Sequence, residues 1–480
     1  MNKENMPSVL LVASECAPLA KTGGLADVVG ALPKALGKLG IDARVILPYH
    51  RCIKEKYSHQ TEHMFYFFVD LGWRHQYAGI EKLKLDGVTV YLVDSEYYFG
   101  DKIYRGGEAE GEQYAFFSRA VLDALPCLDF EPQIIHCNDW HTAMLPMLAK
   151  TQYGVMQENR KYLLTIHNIA FQGRFPFPYV QDLLRIDSRY YTSEFMELYG
   201  SASFLKAGCV FADRINTVSP SYAREILDPY YGEGLQGILS ARQHELSGIV
   251  NGIDDEVFDP RNDPILPAGF DAENLQGKAV CKQALQEQMG LQLRPDVPLF
   301  AMVTRMTEQK GFPLVMEILD ELMSTQDMQF MLLGSGDACF EDFMRQAEGR
   351  YPGRLCAYIG YREPLSHLVY AASDFYVMPS RFEPCGLSQM IAMRYGSVPI
   401  VRETGGLRDT VSPWENGSDS GNGLRFPHYH AGELKEQMLK ALTLYRSGET
   451  MKGLIRRAME ADFGFARSAQ EYAKLYLCML

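Results

Sequence analysis

The chain has 480 residues, 47% of them hydrophobic, with 47 basic against 60 acidic side chains and a formal net charge of -13. That length is enough for two substantial hydrophobic cores and sets a soft expectation of about three domains, a count that large α/β domains reduce. The acidic balance excludes attraction of a polyanion over the whole surface, and with it general nucleic-acid binding, but leaves room for one small anion in a local basic pocket.

Short apolar runs alternate with helical patterns along the chain. The opening residues, Met1-Asn2-Lys3-Glu4-Asn5-Met6, are polar and lack the apolar core of a signal peptide. Ser8 to Ala13 reads as a buried strand. Leu25, Val28, Val29, Leu32, Leu36 and Leu39 then form a helical stripe, in which Pro33 is expected to kink or divide the helix. Ala43 to Leu47 returns as a strand, completing a βαβ unit and predicting a parallel sheet covered by helices. Met64 to Val69, Ile80 to Leu85 and Val88 to Val93 break the rhythm and predict a β-rich insertion at a sheet edge, with Asp86-Gly87 as one turn.

The α/β pattern resumes with strands at 134–136, 163–166 and 214–218, and Ser219-Pro220 supplies an N-cap and a first-turn proline for the next helix. Residues 255–275 are rich in Asp, Pro and Asn without periodicity and are read as the inter-domain connection. A second series of strands follows at 299–303, 330–333, 355–359, 375–378 and 398–401, then a surface loop at 415–423 and a helical end. The fold class is α/β with two Rossmann-like domains, and such a pair predicts a cleft. The expected boundaries are 1–255, 256–455 and a final helical segment, 456–480.

No apolar run approaches the ~20 residues that span a bilayer, so a cytoplasmic protein without a membrane partner is expected. The ten cysteines show no CxxC spacing, and neither HExxH nor a Cys/His finger occurs, so reduced thiols and no metal are expected.

In open α/β sheets ligands sit beyond the carboxyl ends of the strands, so chemistry is sought in the loops that follow them. The first such loop contains Lys21-Thr22-Gly23-Gly24-Leu25-Ala26-Asp27 before a helix. Two glycines there allow close approach of a ligand, free helix amides suit an anion and Lys21 adds charge, although Gly-Gly before a helix is equally a plain tight turn. It matches neither GxGxxG nor the P-loop. The corresponding loop of the second half, Thr304 to Gly311, presents Arg305 and Lys310 toward one anion, or else is a solvated basic turn.

The segment Pro379 to Ser388 follows another strand and contains Glu383, held extended by Pro384, as a carboxylate for sugar hydroxyls or as a helix-start acid. Cys385 has no evident His partner and is read as a small packed residue. His167 follows an apolar strand, as does Asn138-Asp139-Trp140-His141. Trp140, Tyr97, Tyr98 and Tyr104 offer faces for sugar rings or ordinary core packing.

Taken together and in order, these loops resemble the ADP-glucose-type glycogen and starch synthases, the bacterial glycogen synthases in particular. The matching segments are Lys21 to Asp27, Asn138 to His141, His167-Asn168, Asn251-Gly252-Ile253-Asp254, Arg305-Met306-Thr307 with Lys310-Gly311, Arg381 to Leu387, and Thr404 to Val411. The resemblance spans nearly the whole chain. It implies retaining transfer of glucose from ADP-glucose to the non-reducing 4-hydroxyl of glycogen or a malto-oligosaccharide, without a cofactor.

By the same resemblance, Lys21, Arg305 and Lys310 fall on diphosphate-contacting positions, Glu383 beside the donor glucose and His167 near its 6-hydroxyl. Gly23, Gly24, Asp27, Asn138, Asp139, Asn251, Tyr361, Cys385, Gly386, Leu387 and Thr404 fall among positions expected to line the site. The competing readings are a different nucleotide donor such as UDP-glucose, a different glycan acceptor, a glucan phosphorylase, or a non-catalytic glucan-binding protein. A glycoside hydrolase would need paired carboxylates, and one prominent acid stands here rather than an obvious pair.

Overall fold

A computed structural model describes residues 6–154 and 159–480. Five of the six polar opening residues lie outside that range. The chain forms two compact units, Met1–Gly252 with Phe465–Leu480, and Ile253–Gly464. The helix Glu449–Glu460 runs across the expected 455/456 boundary and belongs to the second unit.

In the first unit the strands are β1 (Ser8–Val12), β2 (Asp42–Pro48), β3 (Glu62–Leu71), β4 (Arg74–Leu85), β5 (Val88–Asp94), β6 (Ile134–Asn138), β7 (Lys161–Ile166), β8 (Arg174–Phe175), β9 (Glu197–Leu198), β10 (Ser201–Ser203), β11 (Arg214–Thr217) and β12 (Leu246–Gly248). Nine of them build one sheet in the order β12-β11-β7-β6-β1-β2-β5-β4-β3, and β8-β10-β9 form a small separate sheet. Pairing is parallel from β12 to β5 and antiparallel through β4 and β3.

Side chains alternate across this sheet and both faces are covered. Leu10 and Val12 join one core layer, and Val9 and Leu11 join the other. The β3–β5 insertion lies at the sheet edge, as the sequence predicts. Asp86 and Gly87 both take left-handed φ, 49° and 84°, in the two-residue turn joining β4 to β5. β4 begins at Arg74, earlier than the apolar run shows, because its first residues are largely polar and partly exposed. Pro33 does not divide its helix, which is one element from Gly24 to Lys38. The proline is buried with Leu32 and Leu36, and that apolar face keeps the helix on the sheet despite one absent N–H.

Ser219 caps the helix Pro220–Glu225, accepting a hydrogen bond from the Tyr222 amide at 2.9 Å. The helix Phe465–Met479 packs against the helix Gly24–Lys38 and closes the second core layer with Tyr472, Tyr476 and Met479. Two tyrosine hydroxyls tie it to the sheet. The Asn216 amide donates to Tyr472 at 3.0 Å, and His136 Nδ1 meets the Tyr476 hydroxyl at 2.8 Å. Nε2 of the same histidine meets Thr165 Oγ1 at 2.7 Å.

The second unit contains β13 (Leu299–Val303), β14 (Gln329–Gly334), β15 (Leu355–Ile359), β16 (Phe375–Met378), β17 (Val398–Arg402) and β18 (Leu424–Phe426), in the order β15-β14-β13-β16-β17-β18, all parallel. Residues 255–275 are not a free connection. Asp263, fully buried, accepts hydrogen bonds from His367 Nδ1 at 2.6 Å and from the Tyr395 hydroxyl at 2.5 Å, and Asp259 pairs with Arg394. The polar composition read as a linker therefore serves as side-chain anchoring within the second unit.

Burial holds His136 neutral, with its pKa lowered from 6.5 to about 3. The unfolded chain binds a proton below pH 6.5 that the folded chain refuses, so this contribution to stability is complete above pH 6.5 and fades as pH falls toward 3. Tyr476→Phe, which removes a hydroxyl partner of this ring, is expected to cost about 1–3 kcal/mol in urea denaturation at pH 7. His136→Gln is expected to flatten the acid slope of stability between pH 6.5 and 4 relative to the parent.

Candidate active site

In the second unit β13 and β16 are neighbours, yet the chain leaves β13 for β14 on one side and β16 for β17 on the other. In open α/β sheets ligands bind outside the carboxyl ends of the strands at such a reversal. The loop after β13 brings Lys310, and the loop after β16 brings Glu383. Their charged groups meet at 2.6 Å between Nζ and Oε2, and Ser380 Oγ donates to the same oxygen at 3.0 Å. Glu383 is only 5% exposed, so this pairing is what allows a carboxylate there.

The backbone is tied as closely as the side chains. The Arg381 amide donates to the Gln309 carbonyl at 2.8 Å, joining the two loops. The buried Arg402 donates from Nε to the Ser380 carbonyl at 2.8 Å and also reaches the Arg381 carbonyl. Gly405, with φ 44°, runs so close to Glu383 that a Cβ there would stand 2.0 Å from the Glu383 carbonyl oxygen.

Thr404 is buried at the N-terminus of the helix Gly405–Thr410. Cys385 is buried, and Gly386 and Leu387 are half-buried just before the helix Ser388–Arg394. Arg305 is exposed; its carbonyl accepts from Thr304 Oγ1 at 3.4 Å, while its guanidinium has no hydrogen-bond partner among the described residues. Its neighbour Met306 is clamped by Gly336, through Met306 N–H to the Ser335 carbonyl at 2.9 Å and Asp337 N–H to the Met306 carbonyl at 2.8 Å. Tyr361 follows the edge strand β15, two strands from β13, and is 64% exposed.

The first unit has the same reversal between β1 and β6. Lys21 and Asp27 form an ion pair at 2.7 Å, and Lys21, Gly23 and Gly24 are exposed. Beneath them lies the buried Glu15, whose carboxylate accepts from the Thr22 amide at 2.5 Å, from the Thr22 hydroxyl at 2.9 Å and from the Tyr104 hydroxyl at 3.1 Å. Burial raises its pKa and those hydrogen bonds oppose the rise.

Asn138 and Asp139 turn their polar atoms inward to hold the loop after β7. The Asn138 amide nitrogen donates to the carbonyls of Val12 and His136, both at 3.1 Å, so its oxygen is left to face His167 Nε2 at 2.9 Å. That oxygen can only accept, so Nε2 carries the proton and Nδ1 of the neutral ring is an acceptor. Burial keeps the ring neutral, with its pKa lowered to about 3. Asp139, itself at φ 57°, accepts from the amides of His167 at 2.7 Å and Asn168 at 3.3 Å. Burial pushes this carboxyl up to about 7 against those bonds.

Tyr98 and Trp140 are core residues, Tyr97 is exposed, and Tyr104 serves Glu15. Asn251 is buried after β12, and its Oδ1 has no partner among the described residues. Among the described residues no group of three or more His, Cys, Asp or Glu is placed to hold a metal ion, and no helix is long and apolar enough to cross a membrane.

Residues 8–241 match the starch synthase catalytic domain family, and residues 286–460 match glycosyl transferases group 1. Glycogen synthase of Geobacillus thermodenitrificans is 48% identical over 98% of this chain and 97% of its own length, and that of Bacillus subtilis 44% identical with the same coverage. The chain belongs to the glycogen synthase family. Among solved structures, the catalytic domain of starch synthase IV from Arabidopsis thaliana, bound to ADP and acarbose, superposes with a TM-score of 0.89 at 31% identity over 99% of both chains. Sucrose-phosphate synthase from Thermosynechococcus elongatus, at 17% identity and a TM-score of 0.63 over 98% of each chain, shares the fold alone. The architecture is the two-domain GT-B fold, and the protein is a glycosyltransferase.

Several site residues of this glycogen synthase family member escape the reading of the sequence. Glu15 sits in Ser14-Glu15-Cys16 at the end of an apolar strand, where a lone acid carries no pattern. Arg402 and Ser380 act through backbone carbonyls and a buried carboxylate. Gly334-Ser335-Gly336 at the end of β14 had a usable signal, since a Gly-x-Gly between strand and helix marks close backbone approach. Gly405→Ala is expected to lower stability more than Gly417→Ala. Gly417 has a comparable left-handed φ of 80° but nothing within 4 Å of a Cβ. The difference in thermal midpoint between the two variants measures the contact with Glu383.

Proposed function

We propose that the protein lengthens an α-1,4-glucan by transferring glucose from ADP-glucose to the 4-hydroxyl of the non-reducing end, with retention at the anomeric carbon. The observation that carries this reading is the Lys310–Glu383 contact at the β13/β16 reversal, a fixed ammonium and a fixed carboxylate side by side. Such a pair answers the two charges of the reaction, a nucleotide diphosphate growing more negative and a sugar carbon growing positive. The ADP-bound starch synthase relative supports the choice of donor, and its acarbose supports a glucan acceptor.

In this reading Lys310 keeps one N–H on Glu383 and offers the others to the departing phosphates, while Arg305, exposed and uncommitted, offers its guanidinium fork. Lys21 and the Gly23 and Gly24 amides are the first unit's own donors to an anion, with Lys21 exchanging Asp27 for it. Glu383 orients the donor glucose and favours positive charge on it. His167 accepts the 6-hydroxyl proton at Nδ1, the nitrogen that its contact with Asn138 leaves unprotonated, and its carbonyl faces the anomeric centre. Cys385, Gly386, Leu387, Thr404, Asn251 and Tyr361 complete the surroundings of the donor. Asn138 and Asp139 act one step back by fixing the His167 loop.

The bond from the anomeric carbon to the β-phosphate oxygen breaks, and the bond to the acceptor 4-oxygen forms on the same face. The acceptor proton passes to the leaving phosphate, so ADP departs and no base is consumed.

Release of ADP from ADP-glucose in the presence and absence of glycogen, with UDP-glucose as competitor, tests the reading directly. Glycogen-dependent ADP release is expected, and glycogen-independent or absent release overturns it. Lys310→Ala and Arg305→Ala are each expected to cut kcat/KM by ~10²-fold or more, the order of one preorganised donor. Glu383→Gln is expected to lower turnover strongly while ADP still binds, and a collapse of ADP affinity would assign Glu383 to folding instead.

A further inference from the structure

The nine-stranded sheet of the first unit ends on β3, and no strand pairs with its outer side. The middle of this strand, Met64-Phe65-Tyr66-Phe67-Phe68-Val69, is an unbroken apolar run without a charge, a glycine or a proline. Alternate residues of an edge strand point their N–H and C=O groups away from the neighbouring strand. Among the described residues, no segment other than β4 hydrogen-bonds to the backbone of this run. The one irregularity, a register shift between His63 and Phe65, lies near the start of β3 and leaves Phe65 to Leu71 in regular pairing. A long apolar edge of this kind is a template for another strand, and proteins ordinarily blunt it with charge, proline or a covering segment.

The side chains beside the open edge are uncovered as well. On one face Tyr66 and Phe68 are 63% and 51% exposed. Tyr66 stacks on Tyr77 of β4 with centroids 6.0 Å apart, and Phe68 on His75 at 4.8 Å, so the rings form a continuous strip. On the other face Phe65 and Phe67 rest against the core but are only half-buried. A further strand on this edge would therefore cover apolar surface on both of its faces.

Charge decides what that strand belongs to. The acids beside the strip, Glu81 and Asp70, each accept a hydrogen bond at 2.7 Å, from His63 and His75. The nearby cations Arg74 and Lys82 are paired with Asp182 and Asp129. A patch whose charges are already met offers nothing to a polyanion or an acidic membrane. Two copies of a chain with net charge -13 repel one another at long range, and a neutral apolar strip is where they can meet.

We infer that β3 is the interface of a two-fold dimer, in which β3 of a second copy of this chain adds antiparallel to the open edge and continues the sheet. A two-fold axis centred on Phe67 sets Tyr66 against the partner's Phe68 on one face and Phe65 against the partner's Val69 on the other. These are aromatic and aromatic–β-branched cross-strand pairs, which stabilise sheets. A closed pair also consumes both edges, so assembly stops at two.

The test is sedimentation velocity on the full chain over a range of concentrations, for the parent, Phe68→Lys and Tyr66→Lys. Both substitutions replace an exposed ring, and far-UV circular dichroism matching the parent's separates lost pairing from lost folding. The parent is expected to sediment at twice the chain mass with a Kd of about micromolar order, and each variant to weaken the dimer about tenfold or more. Raising the salt from about 0.05 M to about 0.5 M is expected to strengthen the parent dimer, because it screens the repulsion between two acidic chains. A parent that stays monomeric to ~100 µM, or variants that dimerise as the parent does, overturns the inference. So does a dimer that weakens as salt rises. A monomeric parent that binds maltoheptaose through Tyr66 and Phe68 overturns it too and makes the strip a sugar platform.

Discussion

A carboxylate taken out of water must be met by opposite charge and hydrogen bonds, and Glu383 imposes that requirement on much of the second unit. Its partner Lys310 comes from a different strand's loop, so the two loops must run side by side for the contact to exist. The neighbouring parts answer this need. Arg402 grips the carbonyls of Ser380 and Arg381, Gln309 receives the Arg381 amide, and Gly405 passes where a side chain would not fit. The order of the strands places the two loops over adjacent strand ends, and parallel pairing points both the same way.

The first unit solves the same problem with more neutral chemistry. His167 is surrounded by groups already committed to protein: Asn138 saturated by two carbonyls and the imidazole, and Asp139 holding two backbone amides. The result is a ring with one defined tautomer and no charge, suited to read a hydroxyl rather than a phosphate. The loop after β1 adds the exposed Lys21, paired with Asp27 at 2.7 Å. Glu15 shapes that loop by accepting hydrogen bonds from the Thr22 amide and hydroxyl.

Much of this could be read from the residues in order. Strands buried on both faces appear as short unbroken apolar runs, and for that reason 299–303 and 375–378 are found at the expected ends. Capping chemistry at Ser219-Pro220 and the Asp86-Gly87 turn are equally local and equally visible. Features that depend on partners distant in sequence were not. Pro33 stays within a single helix because of the apolar face it shares, residues 255–275 are anchored by His367, Tyr395 and Arg394, and β8 to β10 are too short to carry a period. At the site, charged and glycine-rich loops announce themselves after strands. The residues that steady those loops, such as Glu15 and Arg402, act through backbone atoms and leave no motif.

The helix Phe465–Met479 gives the first unit a debt to the future of its own synthesis. Two hydroxyls and a row of buried aromatics from the end of the sequence complete a core that was otherwise translated long before. While the second unit is still emerging from the ribosome, the groove beside the helix Gly24–Lys38 lies open and greasy, with His136 and Asn216 lacking their late partners. A nascent chain of this architecture therefore carries an unfinished, adhesive face through most of its manufacture, and chaperone occupancy should be concentrated there.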